Sequence, residues 1–519
     1  MKNKGLIFVL VIIFGAFIIG LVHKNYAESS IFSNKENLGS NSVGSNIEKE
    51  KSNSISSIFT KCGDEKCSFN EDSSNCCIDC GCPSRYSCSE NVCKKLAECG
   101  NGIKEEGETS ENCCLDTGCI TGYKCEQNRC VELKPEINAY FNQYQTKSIT
   151  YFKAKERSLG ILTLQNIGNS IAKNIKIKIS SPDGYFNDEI IILESIENNN
   201  QKTEEIKLIF TDKALEIATQ IQIKLNLNIE FEDEDNMAHS NSETITSIFM
   251  GKNYMSWSEP KEVESWITPN HPIIKEFASK STAGLAASSS VGTSEEQELA
   301  ARWLLESMRA YGIRYVNDPF NKEGDYVQFP TETLTNKAGD CEDNAVLYAS
   351  LLAAIGMEPV IILTPRHAFA GYINKNGELV PIETTSLDFD TALNYGINNI
   401  NQNKENMQII KLDWINNPQV ILPIKEDLKL PSITKQIGAC GLSFTFSQGW
   451  IAKSKVTFYN SGQSPGAGCA AIIAYDSNGN KIDENISCWT INPVETKDFE
   501  YIFDIDLGNV LSGYYCRGL

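Results

Sequence analysis

The chain opens with Met1-Lys2-Asn3-Lys4 and an unbroken apolar run from Gly5 to Val22, long enough at helical rise to cross most of a bilayer. A cleaved leader has a shorter apolar region followed by small residues, and Asn25-Tyr26-Ala27 matches that poorly. Residues 1–27 are therefore read as an uncleaved N-terminal transmembrane helix. Lys2 and Lys4 stay in the cytoplasm, although Lys24 works against that asymmetry. From 28 to 60 periodicity disappears into Ser, Asn, Lys and Glu, as at Ser52-Asn53-Ser54, which predicts a flexible spacer. Alternation of period two returns over 135–252, in Ile161-Leu162-Thr163-Leu164 and Ile175-Lys176-Ile177-Lys178-Ile179, with turns at Asn166-Ile167-Gly168-Asn169 and Pro182-Asp183-Gly184. That pattern predicts a β-sandwich, and residues 437–519 repeat it, with a hairpin signal at Ser477-Asn478-Gly479-Asn480.

Between the two sandwiches, in a domain placed at 253–436, the period changes. Glu295 to Tyr311 carries Leu299, Trp303, Leu304 and Met308 at helical spacing, an amphipathic helix on a core. Asn344 to Ile355 is apolar on nearly every side, a buried helix with Asp340 as N-cap and Gly356 beyond its end. Strands follow at 359–363, 367–373 and around Val380-Pro381-Ile382-Glu383-Thr384-Thr385.

The 19 cysteines change the picture between these elements and the spacer. Fourteen lie between Cys62 and Cys130, in two modules at 61–97 and 98–134 that align without gaps at an offset of 37 residues. Cys62, Cys76, Cys77, Cys82, Cys88 and Cys93 fall on Cys99, Cys113, Cys114, Cys119, Cys125 and Cys130, and Gly63, Asn75, Asp79, Gly81 and Tyr86 recur as Gly100, Asn112, Asp116, Gly118 and Tyr123. Cys67 and Cys80 become Lys104 and Thr117 together, so these two are predicted to bond to each other. Zinc suits the Cys77-Ile78-Asp79-Cys80 spacing but finds no histidine nearby, and disulfides in an oxidising compartment are the better reading. Acidic residues in each module (Asp64, Glu71, Asp72; Glu105, Glu106, Glu108) lack the spacing of an established calcium loop and read as solvated charge. Cys440, Cys469, Cys488 and Cys516 are expected to staple the tail, where Asn485-Ile486-Ser487 forms a glycosylation sequon.

A formal charge of -20 and an isoelectric point near 4.8 argue against nucleic acid, which needs clustered Lys and Arg. Length points to several domains rather than one core. No cofactor and no metal is expected, and neither the partner of the Cys-rich modules nor an oligomeric state is legible.

Fourteen module cysteines and four in the tail make eighteen, so Cys341 is the odd one out. It opens the buried helix, where unpaired backbone N–H groups and the helix dipole favour a thiolate and an oxyanion. Asp340, Glu342 and Asp343 oppose that charge, so a cationic imidazole is needed beside the sulfur. Of the four histidines, His23 lies at the membrane edge, His239 in the first sandwich and His271 in a Pro-flanked loop. His367 opens a strand just after the helix–strand unit and is the expected base, with His271 a distant second. Glu383 on the next strand can hold the imidazole in its working tautomer.

Gly339-Asp340-Cys341-Glu342-Asp343 opening an apolar helix, His367 at the start of a strand and an acidic residue on the next resemble the transglutaminase-like superfamily over residues 295–390. The resemblance implies an α+β papain/transglutaminase-like core, here flanked by all-β sandwiches, of which 135–252 resembles immunoglobulin-like spacer domains. It implies a Cys341–His367–Glu383 triad, with Glu383 departing from the family's usual Asp, and an oxyanion donor upstream of the cysteine, for which Gln328 is the candidate and Tyr326 the alternative. The expected function is an extracytoplasmic enzyme that cleaves or transfers amide acyl groups of a protein or peptide substrate through a thioester. The alternative is an inactive cell-surface adhesion scaffold, and hydrolysis against amine transfer is left open.

Overall fold

The computed structural model describes residues 62–519 except 155–156, 287, 289–290, 319–323, 387, 414–419, 421, 423–426 and 448. The expected anchor and spacer lie outside the described residues, among which no helix is long and apolar enough to cross a membrane. The chain divides into two compact units at Leu96/Ala97.

The first unit carries the first Cys-rich module. A one-turn helix, Cys77–Cys80, and a hairpin of Tyr86–Ser89 with Val92–Lys95 are held by Cys62–Cys76, Cys67–Cys80, Cys77–Cys88 and Cys82–Cys93. Asp79 accepts the backbone N–H groups of Gly63, Asp64 and Glu65, which ties the N-terminal loop to the helix. Gly63 has φ 103°, a conformation that favours glycine, so Gly63 and Asp79 recur as a pair.

The second unit begins with the second module, built the same way on Cys99–Cys113, Cys114–Cys125 and Cys119–Cys130. Asp116 repeats the role of Asp79 on Gly100, Asn101 and Gly102. Two antiparallel sheets follow. One orders Ala238–Phe249, Ile221–Glu232, Ala172–Ser180 and Glu189–Ile196, and the other orders Ile137–Gln143, Ser158–Asn166 and Gln201–Lys207. The inward halves of the alternating runs, such as Leu162, Leu164, Ile175 and Ile177, are buried between them, as period two requires.

That core runs without interruption into the central domain, and a buried ion pair of Lys147 with Glu262 joins the two. Here the helix Cys341–Ala354 is buried along its whole length and packs on a four-stranded antiparallel sheet. The sheet orders Leu379–Ile382, His367–Ile373, Glu358–Thr364 and Gln408–Lys411. The helices Pro272–Ser281, Ser294–Tyr311 and Pro330–Asn336 cover the buried helix. Asp340 caps it through the Asp343 N–H, and Gly356 follows its end at φ 80°. The amphipathic helix starts on a Thr293/Glu296 capping box.

The tail forms two further antiparallel sheets around its own core, with Cys440 bonded to Cys516 and Cys469 to Cys488. Its first strand, Ile433–Ile437, pairs with Gly449–Asn460, so the tail begins a few residues before position 437. Ile433 and Ile437 pack on the tail core, which draws that strand out of the preceding segment.

Candidate active site

The cysteine stands at the first helical position because Gly339 lets the chain pass close to Asp343. A Cβ on Gly339 would sit 2.6 Å from that of Asp343. Asp343 is fully buried, accepts the Gln328 backbone N–H at 2.7 Å and caps back to the Asp340 N–H. Burial pushes its carboxyl up to about 7.

Glu358–Thr364 turns into His367–Ile373 through Pro365 and Arg366, the latter left-handed at φ 66°. The next strand pairs Ile382 with Ala370, so one register step onward Glu383 falls opposite Phe369. His367 and Phe369 share a face at period two, which places the Glu383 carboxylate beside the imidazole. His367 Nε2 and Glu383 Oε2 are 2.7 Å apart. The same oxygen accepts from Asn399 Nδ2, while Oε1 accepts from the Thr385 N–H and hydroxyl. Burial would raise the Glu383 carboxyl, but the hydrogen bonds and charge of His367, with the Thr385 donors, outweigh it and hold it below its ordinary value.

Nε2 is thus engaged with Glu383, and Nδ1 takes no part in that bond. Cys341 and His367 line one cavity of about 660 Å³, and the sulfur accepts the backbone N–H of Ala368, the residue after the histidine. Cys341 is the free cysteine among the described residues. Its thiol donates to Glu342 Oε2 at 2.9 Å. Burial, followed by the charge and hydrogen bond of Glu342, raises the thiol well above its ordinary value. Burial and the charges of Asp340 and Asp325 drive the Glu342 carboxyl up to about 10.

The structure therefore brings Cys341, His367 and Glu383 together. Gln328 does not line the cavity: its Nε2 donates to Asp343 and to the Ala338 carbonyl, and its Oε1 accepts from Asn336. Tyr326 lines a different cavity, beside Lys252 and His271. His271 is buried as the N-cap of Pro272–Ser281, with Nε2 on the Leu422 carbonyl. His239 pairs with Asp233. The sequence reading missed Trp257, Tyr315, Asp318 and Asp325, which line the cavity. They come from irregular segments without period, and only the clustering of Asp318 and Asp325 before the cysteine hinted at them. Asn399, on the helix Phe389–Gln402, was also unforeseen.

Residues 194–409 match a family model described as a transglutaminase-like domain. No curated protein matches the chain. Among solved structures the chain is similar to red sea bream transglutaminase, at 9% identity over 70% of this chain and 76% of that one, with a TM-score of 0.18. It is also similar to a structural-genomics target, at 12% identity over 22% of this chain and 83% of that one, with a TM-score of 0.14. A Ca2+-stabilized adhesin that helps an Antarctic bacterium reach out and bind ice gives 6% identity over 73% of this chain and 72% of that one, with a TM-score of 0.17. Scores this low leave the chemistry to be read from the chain's own residues.

Proposed function

Because residues 194–409 match a transglutaminase-like family model, we propose that Cys341 is the nucleophile of an acyl-transfer enzyme with His367 as its base and Glu383 as the group that orients the base. The observation that carries this reading is the Nε2 bond of His367 to Glu383, which commits one ring nitrogen and leaves the other for the cavity that Cys341 lines. The imidazole takes the thiol proton, and the thiolate adds to an amide carbonyl. Backbone N–H groups of the helix's first turn face the developing oxyanion. The imidazolium then protonates the departing amine as the C–N bond breaks, leaving a thioester on Cys341. Water or a primary amine, deprotonated by His367, attacks the thioester and returns the thiol. The products are a carboxylic acid or a new amide.

The raised thiol favours a second reading, in which the domain binds without reacting. One experiment separates the two: the full chain is incubated with a peptide library and a fluorescent primary amine, and products are read by mass spectrometry. The enzyme reading expects an acyl adduct on Cys341 and product formation that vanishes in Cys341→Ala. Equal product from that variant, or none from the parent, would support the binding domain.

Nine disulfides support an oxidising, extracytoplasmic setting, and the apolar run at 5–22 supports attachment to the membrane. The untreated chain should stay in the membrane fraction, and protease added outside intact cells should release the part of it that follows the spacer. A mature N-terminus near Glu28 in secreted material would contradict the anchor.

A further inference from the structure

The wall of the cavity beside Cys341 gathers four carboxyl groups. Asp318, Asp325, Asp340 and Glu342 all line it, against Arg366, which is exposed, and His367, which is held by Glu383. Ligand atoms of Asp340, Cys341 and Glu342 lie within 4.8 Å of one another, and Glu342 also shares a hydrogen bond with the Asp325 carboxyl. Carboxylates this close cannot all ionise without a counter-charge.

Elsewhere in the second unit such groups have one. Glu262 meets Lys147, Asp390 meets Arg302 and Glu332 meets Lys252. Among the described residues no Lys or Arg forms an ion pair with any of the four carboxyls in the cavity. Glu342 is 4% exposed, yet its Oε1 is sealed from solvent with no donor, and Asp318 Oδ2 is in the same state. Both residues line the cavity, and each leaves a buried acceptor without the donor that would offset its loss of water.

The cavity's form says which kind. A volume of about 660 Å³ falls in the range of organic ligand sites, whereas a bare divalent ion needs a close shell of oxygens. Trp257 and Tyr315 share the wall, and the Trp257 indole N–H is fixed on Asp325 at 2.8 Å. Aromatic groups beside carboxylates suit an ammonium or a guanidinium.

Resting on Cys341 as the nucleophile, we propose that this cavity binds a Lys or Arg side chain of the acyl donor, next to the carbonyl that the cysteine attacks. The donor's positive charge then offsets the carboxylates of the cavity wall as the thiolate forms, so the enzyme is fully activated only by a cationic donor.

Charged thiol reagents test this on the full chain. The rate of Cys341 modification is measured with methanethiosulfonates bearing a trimethylammonium, a neutral methyl or a sulfonate group, each divided by its rate with 2-mercaptoethanol. The corrected cationic-to-anionic ratio should be about 30-fold, as expected for several nearby charges partly screened by water. It should fall several-fold in Asp318→Asn, and in Asp325→Asn provided that its melting curve matches the parent's. A peptide library should show donors with Lys or Arg preferred over norleucine or citrulline at the same position. A corrected ratio near one overturns the proposal. So does loss of the cationic preference when millimolar Ca2+ or Mg2+ is added, which would make the cavity a metal site. Failure of the nucleophile reading looks different: the neutral reagent would then react at a rate indifferent to His367→Ala.

Discussion

The Cys-rich modules and the central domain use cysteine in opposite ways. In the modules the buried apolar residues are half-cystines, Cys76, Cys77, Cys113 and Cys114, while Phe69, Ile78, Leu115 and Ile120 are exposed. Units of this size bury too little to fold on packing alone, so covalent bonds supply the missing stability. In the central domain Leu347, Tyr348, Leu351 and Leu352 are fully buried on a helix with no disulfide. Where packing holds the fold, one cysteine is left unbonded. Where disulfides hold it, none is.

Reduction should break the comparison most visibly. With a disulfide reductant under native conditions, backbone amides of both modules should lose hydrogen-exchange protection, each bond being worth about 2–4 kcal/mol. Amides of Cys341–Ala354 should keep theirs. Loss of both together would mean that the central domain also depends on disulfides.

A smaller effect is expected within the modules. Cys67→Ala with Cys80→Ala removes a bond that the second module lacks, so the first module should remain folded and lose about 3 kcal/mol or less. The matched removal of Cys77 and Cys88 should unfold it, read as proteolysis near Cys88. Equal damage from both pairs would contradict the repeat argument.

The smallest effect is a pH dependence confined to the central domain. Asp318 is raised to about 6, first by burial and then by Asp340 and Asp325. A carboxyl whose folded value exceeds its unfolded one contributes stability below the unfolded value and loses it as pH rises through about 6. Asp318→Asn should therefore raise the melting temperature at pH 8 and leave it unchanged at pH 4. Glu383 runs the other way: its depressed carboxyl contributes at neutral pH and loses that contribution on acidification. An Asp318→Asn shift at pH 4 as large as that at pH 8 would rule out ionisation as its cause.

How much was legible in the sequence follows the same division. The repeat offset and the joint loss of Cys67 and Cys80 predicted a bond that the structure contains, because two cysteines lost together from one copy point to each other as partners. The helix at Cys341, its Asp340 cap and the following strands were legible from periodicity and turn residues. The cavity wall was not, since Trp257, Asp318 and Asp325 arrive from irregular segments that only tertiary packing brings together. Gln328 was the candidate for the upstream oxyanion donor that the family resemblance implies. Its amide is instead turned to Asp343, a partner that chain order does not reveal.

The most direct test of the central account is the rate at which neutral iodoacetamide alkylates Cys341 in the native full chain between pH 5 and 9. If His367 draws the thiol proton and Glu383 orients the ring, the rate should fall about 100-fold in His367→Ala and about tenfold in Glu383→Gln. Alkylation as fast in His367→Ala as in the parent, or a Cys341 that reacts only after denaturation, would contradict the account.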